Sequence, residues 1–159
     1  MNAHDFTFTS ITGEKLLLSQ FKGKPVLVVN TASECGYTPQ YAGLEKLWQL
    51  YRDRGLIVLC VPSNDFGAQE PGDEKAIRNF CTTRFAVDFP MTAKATVVGA
   101  NAHPFYKWLA AELGEAGQPR WNFHKYLIDP NGAIAGVFPS KVAPESAELG
   151  AAIEAALKG

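Results

Sequence analysis

The chain predicts an α/β fold: a central mixed sheet flanked by helices, with a β-hairpin at the amino end. Three observations carry this reading. Two short apolar runs, "PVLVV" and "LIVLCV", read as strands buried on both faces. A segment of helical periodicity separates them, so they pair in parallel through a crossover. Farther on, "FHKYLID" and "AIAGVF" flank the turn signal "PNG" and read as an antiparallel hairpin, which makes the sheet mixed.

Taken in order, "DFTFTSITGEKLLLSQF" alternates around Thr12-Gly13 and predicts the first hairpin. "KPVLVVN" is the first buried strand. A helix follows from about Thr38 to Arg54, with Tyr41, Leu44, Trp48 and Tyr51 near one face and Gly55 as its stop. "LIVLCV" is the second buried strand, closed by Pro62. "GDEKAIRNFCTTRF" is a helix capped by Asp73, with Ile77, Phe80 and Cys81 on one face. "AHPFYKWLAAEL" carries Pro104 in its first turn and packs through Phe105, Trp108, Leu109 and Leu113. The last helix runs from about Pro144, with Leu149, Ile153 and Leu157 inward.

The 159 residues suit one domain, taken as 1–159, with a real core. Hydrophobic residues at 47% and charged residues at 19% mark a globular chain. A net charge of −1 gives no footprint for nucleic acid or an anionic membrane. No apolar run approaches the roughly 18–20 residues of a membrane span. "MNAHDFTFTS" lacks the marks of a signal peptide, so cytoplasm is the expected location. Cys35, Cys60 and Cys81 are odd in number and widely spaced, unlike a disulfide scaffold. His4, His103 and His124 are scattered and sit beside no cysteine, so no metal site is expected, and no cofactor. Structural thiols or redox chemistry remain.

Catalytic groups in open α/β sheets gather beyond the carboxyl ends of the parallel strands. Cys35 follows the first such strand and precedes a helix, where free N–H groups and the helix dipole favour a thiolate. Its polar neighbours, "SE" and "GYT", do not suit a core. Gln69 lies in "VPSNDFGAQEPG", the loop after the second strand, and so on the same sheet edge; a solvated turn glutamine would read the same way. Trp121 and Asn122 precede "FHKYLID". If that strand runs antiparallel to the first two, its amino end meets their carboxyl ends, and three distant segments converge on one rim. They bring an indole N–H and two carboxamides, all neutral hydrogen-bond donors.

"NTASECGYT", "VPSNDFGAQEPG" and "WNFHKYLID" resemble, in order and spacing, the three signature segments of the glutathione peroxidase family. The resemblance extends from the first hairpin to the last helix. It implies a thioredoxin fold, in keeping with the element order. It also implies that Cys35 is the peroxidatic residue, a cysteine where some members have selenocysteine, and that Gln69, Trp121 and Asn122 complete a catalytic tetrad. "FCTTRFAVDFP" resembles the segment that carries the resolving cysteine of the thioredoxin-dependent branch, which points to Cys81. Cys81 also shares a helix face with Ile77 and Phe80 and reads equally as core from pattern alone. Cys60 reads as strand packing. Because a native helix position for Cys81 and a rim position for Cys35 hardly meet disulfide geometry, the helix is expected to open on oxidation.

The resemblance implies hydrogen peroxide and organic hydroperoxides as substrates, and thioredoxin as reductant with glutathione as the lesser candidate. A glutathione-dependent one-Cys peroxidase and a redox sensor that passes oxidation to a partner protein are the rival readings. Where many members have Cys-Asn-Gln, this chain has Ser63-Asn64-Asp65, which removes a possible partner thiol and adds a charge. The stretch from Phe105 to Trp121 lacks the insertion that builds the interface of tetrameric members, which implies a monomer or dimer.

Overall fold

A computed structural model describes residues 1–158. The first hairpin is present as β1 (Thr7–Thr9) and β2 (Lys15–Leu17), paired antiparallel with Phe8 opposite Leu16. Both of those side chains are buried while their neighbours face out, the alternation expected of a half-covered ribbon.

The central sheet holds β3 (Val26–Thr31), β4 (Ile57–Pro62), β5 (Lys125–Ile128) and β6 (Ile134–Phe138), in the order β4-β3-β5-β6. β3 and β4 are parallel, with Val29 opposite Cys60. β5 runs antiparallel to β3, with Lys125 opposite Val29, and β6 antiparallel to β5. The expected crossover and hairpin are therefore both found. Every residue of β3, β4 and β5 is buried, because helices or the hairpin cover each face.

The helices are α1 (Gln40–Tyr51), α2 (Glu74–Phe85), α3 (Pro104–Leu113) and α4 (Ala147–Lys158). Successive strand residues point to opposite faces, which splits the core in two. Leu27, Val29, Val58 and Leu127 face Tyr41, Leu44, Ile77, Leu149 and Ile153 of α1, α2 and α4. Val26, Val28, Leu59 and Tyr126 face the hairpin and Phe105 and Leu109 of α3. Each fully buried Val or Leu is worth about 1.5–3 kcal/mol against exposure, so these layers fix the sheet. Asp73 caps α2 as expected, its side chain accepting the Ala76 N–H at 2.9 Å.

Two helices start later than the pattern predicts. α1 begins at Gln40, because the Thr38 side chain is spent on the turn before it. α4 begins at Ala147, where the Ser146 hydroxyl accepts the Leu149 N–H at 3.2 Å. The end of α1 tightens into a short 3-10 turn, Arg52–Arg54, closed by Gly55 at φ 111°. Leu113 and Phe80 are half-buried and not core. No described helix is long and apolar enough to cross a membrane.

Candidate active site

The chain leaves β3 at Thr31 and folds at once into a turn built by Thr38. The Thr38 hydroxyl accepts the Cys35 N–H at 2.9 Å and donates to the Ala32 carbonyl at 2.9 Å. The Thr38 N–H returns to the Cys35 carbonyl at 3.0 Å. Cys35 Sγ accepts the Tyr37 backbone N–H at 3.3 Å. The thiol thus meets a turn amide rather than the first free amides of α1, since Gln40 opens the helix only after that turn. Cys35 is 8% exposed but belongs to neither apolar cluster, and Glu34, Gly36 and Tyr37 around it are exposed.

The three expected donors come together. Asn122, fully buried, donates through Nδ2 to Gln69 Oε1 at 3.0 Å and to the Phe66 carbonyl at 3.5 Å. Its Oδ1 has no partner. The Trp121 ring lies against Phe66 with centroids 5.8 Å apart, and the Trp121 carbonyl accepts from Asn30 Nδ2 at 2.9 Å. The Gln69 carbonyl accepts the Glu34 N–H at 3.0 Å, which ties this cluster to the residue beside Cys35. With Oε1 held by Asn122, the free donors of the cluster are the Gln69 amide N–H groups and the Trp121 indole N–H.

Packing at this rim is tight. A Cβ at Gly67, φ +67°, would stand 3.1 Å from the Trp121 ring and 3.4 Å from Gln69 Cδ. Ala68, next to Gln69, has φ 50°, and Phe123, next to Asn122, has φ 66°. A left-handed non-glycine residue costs about 1–2 kcal/mol and persists where its surroundings impose it. The Phe123 N–H is held by the Asn30 carbonyl at 2.6 Å.

Cys81 is not brought to this rim. It is 1% exposed on α2, packed with Tyr41, Ile77 and Cys60, and burial pushes its thiol up to about 11. Cys60 is fully buried in β4 as expected, and burial raises its thiol well above the ordinary value. Ser63 is buried, its hydroxyl accepting the Asp65 N–H at 3.3 Å. Asp65 turns from the rim to anchor the chain: its Oδ2 accepts the Val97 and Val98 N–H groups at 2.6 and 3.2 Å.

Two buried charges escape the sequence pattern. Lys125, fully buried, donates to the Phe123 carbonyl at 2.7 Å, and burial pulls it down to about 7. The covered position of its strand between β3 and β6 is the signal that could have found it. Glu70, 1% exposed, directly follows Gln69, and burial pushes it up to about 7. His124 beside the rim is buried and its pKa falls to about 4, chiefly through burial. Its Nδ1 accepts the Arg120 N–H at 3.5 Å, which leaves the proton on Nε2.

A glutathione peroxidase family profile matches residues 3–110. A "Glutathione peroxidase-like peroxiredoxin gpx1" of Schizosaccharomyces pombe is 46% identical over 86% of this chain and 87% of its own. A "Hydroperoxy fatty acid reductase gpx1" of Synechocystis is 43% identical over 95% and 93%. Among solved structures, Trgpx in apo form superposes with TM-score 0.81 at 37% identity, covering 100% of this chain and 97% of its own. A thioredoxin-family thiol:disulfide interchange protein of Chlorobium tepidum shares the fold, with TM-score 0.70 at 17% identity over 96% of this chain and 92% of its own.

Proposed function

The chain belongs to the glutathione peroxidase family, and from that premise we propose that it is a thiol peroxidase that reduces hydrogen peroxide and organic hydroperoxides at Cys35. The contact of Asn122 with Gln69, beside Trp121 and tied to the Cys35 turn through Glu34, carries this reading. The Synechocystis relative, named for hydroperoxy fatty acid reduction, supports the substrate class.

The Cys35 thiolate attacks one peroxide oxygen. An S–O bond forms, the O–O bond breaks, and the departing oxygen leaves as water or alcohol after taking a proton. A free thiol is already a few per cent thiolate at pH 7, so full ionisation gains at most roughly 30-fold. Greater acceleration comes from donors aimed at the departing oxygen, each worth about 2.7–4 kcal/mol in comparable sites. Gln69 and Trp121 suit that work because they are neutral and need not change protonation. Asn122 fixes the Gln69 carboxamide so that its N–H groups are presented.

Cys35 then carries a sulfenic acid, which condenses with Cys81 to a disulfide. Cys81 is buried on α2 in the reduced protein, so resolution requires α2 to open. Thioredoxin reduces the exposed disulfide, and the relative named a peroxiredoxin supports this recycling. The chain is taken as one domain, cytoplasmic, and monomeric or dimeric. Consumption of NADPH with hydrogen peroxide, thioredoxin and thioredoxin reductase tests the proposal. Turnover with thioredoxin and little with glutathione is expected; turnover with glutathione alone would replace the donor, and none with either would favour a sensor.

A further inference from the structure

A cavity of about 220 Å³ separates the Cys35 turn from α2. Ser33 and Glu34 wall one side, and Ala76, Ile77 and Phe80 the other. Glu70 lines it as well and is the only buried carboxylate among the described residues. Its main chain is fixed: the N–H donates to Asn64 Oδ1 at 2.9 Å and the carbonyl accepts from Lys94 Nζ at 3.1 Å. Its side chain meets Ser33 alone: the Ser33 hydroxyl and backbone N–H face the carboxyl and lower it, and Glu70 Oε2 and Ser33 Oγ have no other partner.

Cys81 stands one turn beyond Ile77 on the same buried face of α2, about 5–6 Å along the helix. Ile77 and Phe80 form the α2 wall of the cavity. The cavity therefore lies between the Cys35 turn and the wall of α2 that carries Cys81 one turn farther on, with the Glu70 carboxyl in its lining. We propose that Glu70 takes the thiol proton of Cys81 as Cys81 attacks oxidised Cys35, a role that rests on the reading of Cys35 and Cys81 given above. The Cys81–Cys35 S–S bond forms and the Cys35 S–O bond breaks. Hydroxide leaves and collects the proton from Glu70. Sulfenic acid and thiol thus become disulfide and one water, with no outside electron donor.

The need for a base follows from the thiol itself: burial holds it up to about 11 in the closed helix, and even freed from the core a cysteine near 8.5 is mostly protonated at neutrality. General bases work best near the operating pH and contribute about 10²–10⁴-fold. Burial pushes Glu70 to about 7, into that range. The charges that face it agree with the placement. Lys94 lowers it and Glu34, on the Cys35 side, raises it. In turn its charge raises Tyr41 of α1 and Cys81 of α2.

Glu70→Gln, which keeps the shape and removes the base, tests this in two measurements on the reduced protein. Stopped-flow oxidation of Cys35 by hydrogen peroxide reads the first step; rapid quench with mass spectrometry reads the disulfide. Oxidation is expected within about twofold of wild type and disulfide formation about tenfold slower or more. Wild-type disulfide formation is expected to rise with pH through about 7, as the carboxylate appears, and the variant to lack that rise. Glu70→Asp is expected to keep the rise at a reduced rate. Unchanged disulfide formation in Glu70→Gln, or a slower rate with the pH rise intact, overturns the proposal and leaves the Cys35–Cys81 pair standing. Absence of a Cys35–Cys81 disulfide in peroxide-treated wild type overturns both.

Discussion

Cys35 and Cys81 are both nearly covered, at 8% and 1% exposure, but different surroundings cover them. Around Cys35 the cover is a polar turn: Thr38 ties its backbone, the Tyr37 N–H meets its sulfur, and exposed residues flank it. Around Cys81 the cover is an apolar core, Tyr41, Ile77 and Phe89, with the whole of α2 holding the thiol inward. One thiol is offered by backbone geometry and the other is withheld by burial. Low exposure alone therefore says little about a cysteine's chemistry; the polarity of its enclosure says more.

The comparison breaks most simply at Cys35. Cys35→Ser is expected to lose peroxide reduction by about 10³-fold or more while its circular dichroism stays native. Wild-type-like turnover would remove Cys35 from the chemistry. The opposite substitution, Cys81→Ser, is expected to lose thioredoxin turnover but to keep Cys35 oxidation within about twofold, since the two sites are separate. Hydrogen exchange should show α2 protected in reduced protein and opened after peroxide treatment; equal protection, with the disulfide confirmed by mass, would mean that the thiols already lie within reach.

A smaller effect separates the donors from the thiol. Gln69→Ala and Asn122→Ala are expected to slow Cys35 oxidation by about 10- to 1000-fold. Stopped-flow rates within twofold of wild type would show that the Asn122–Gln69 contact serves packing alone.

The smallest effect sharpens the Cys81 side. Burial pushes its folded thiol up to about 11 from an ordinary value near 9, so the folded state holds the proton more tightly. That contribution is complete below about pH 9 and is lost as pH rises toward 11. In reduced protein, Cys81→Ala should lose less stability between these limits than wild type, by about 1–2 kcal/mol. Denaturant titrations at both ends of the window check it; equal losses would mean that α2 does not shield the thiol.

The sequence carried the fold where periodicity and caps act locally. β3 and β4 are continuous apolar runs, Asp73 caps α2, and Pro104 opens α3, each as its pattern predicts. Helix starts were less legible where one side chain had two possible tasks, as with Thr38, which builds the Cys35 turn instead of opening α1. Of the site, the residue types and their convergence were readable from topology, because β5 runs against β3. The Asn122–Gln69 contact depends on side-chain direction, which no spacing encodes. Glu70 and Lys125 were hidden by their own chemistry, since a charge in a sequence is taken for surface until tertiary structure covers it.

The bond from Asn30 to the Trp121 carbonyl joins residues 91 apart in the chain. During synthesis at about 5–20 residues per second, the ribosome needs roughly 5–20 s to pass from one to the other. For nearly all of that interval Cys35 has been translated and neither Trp121 nor Asn122 has. The nascent thiol stands without those neighbours, and the Asn122–Gln69 cluster forms only once residues 121 and 122 have been made and have folded back onto β3.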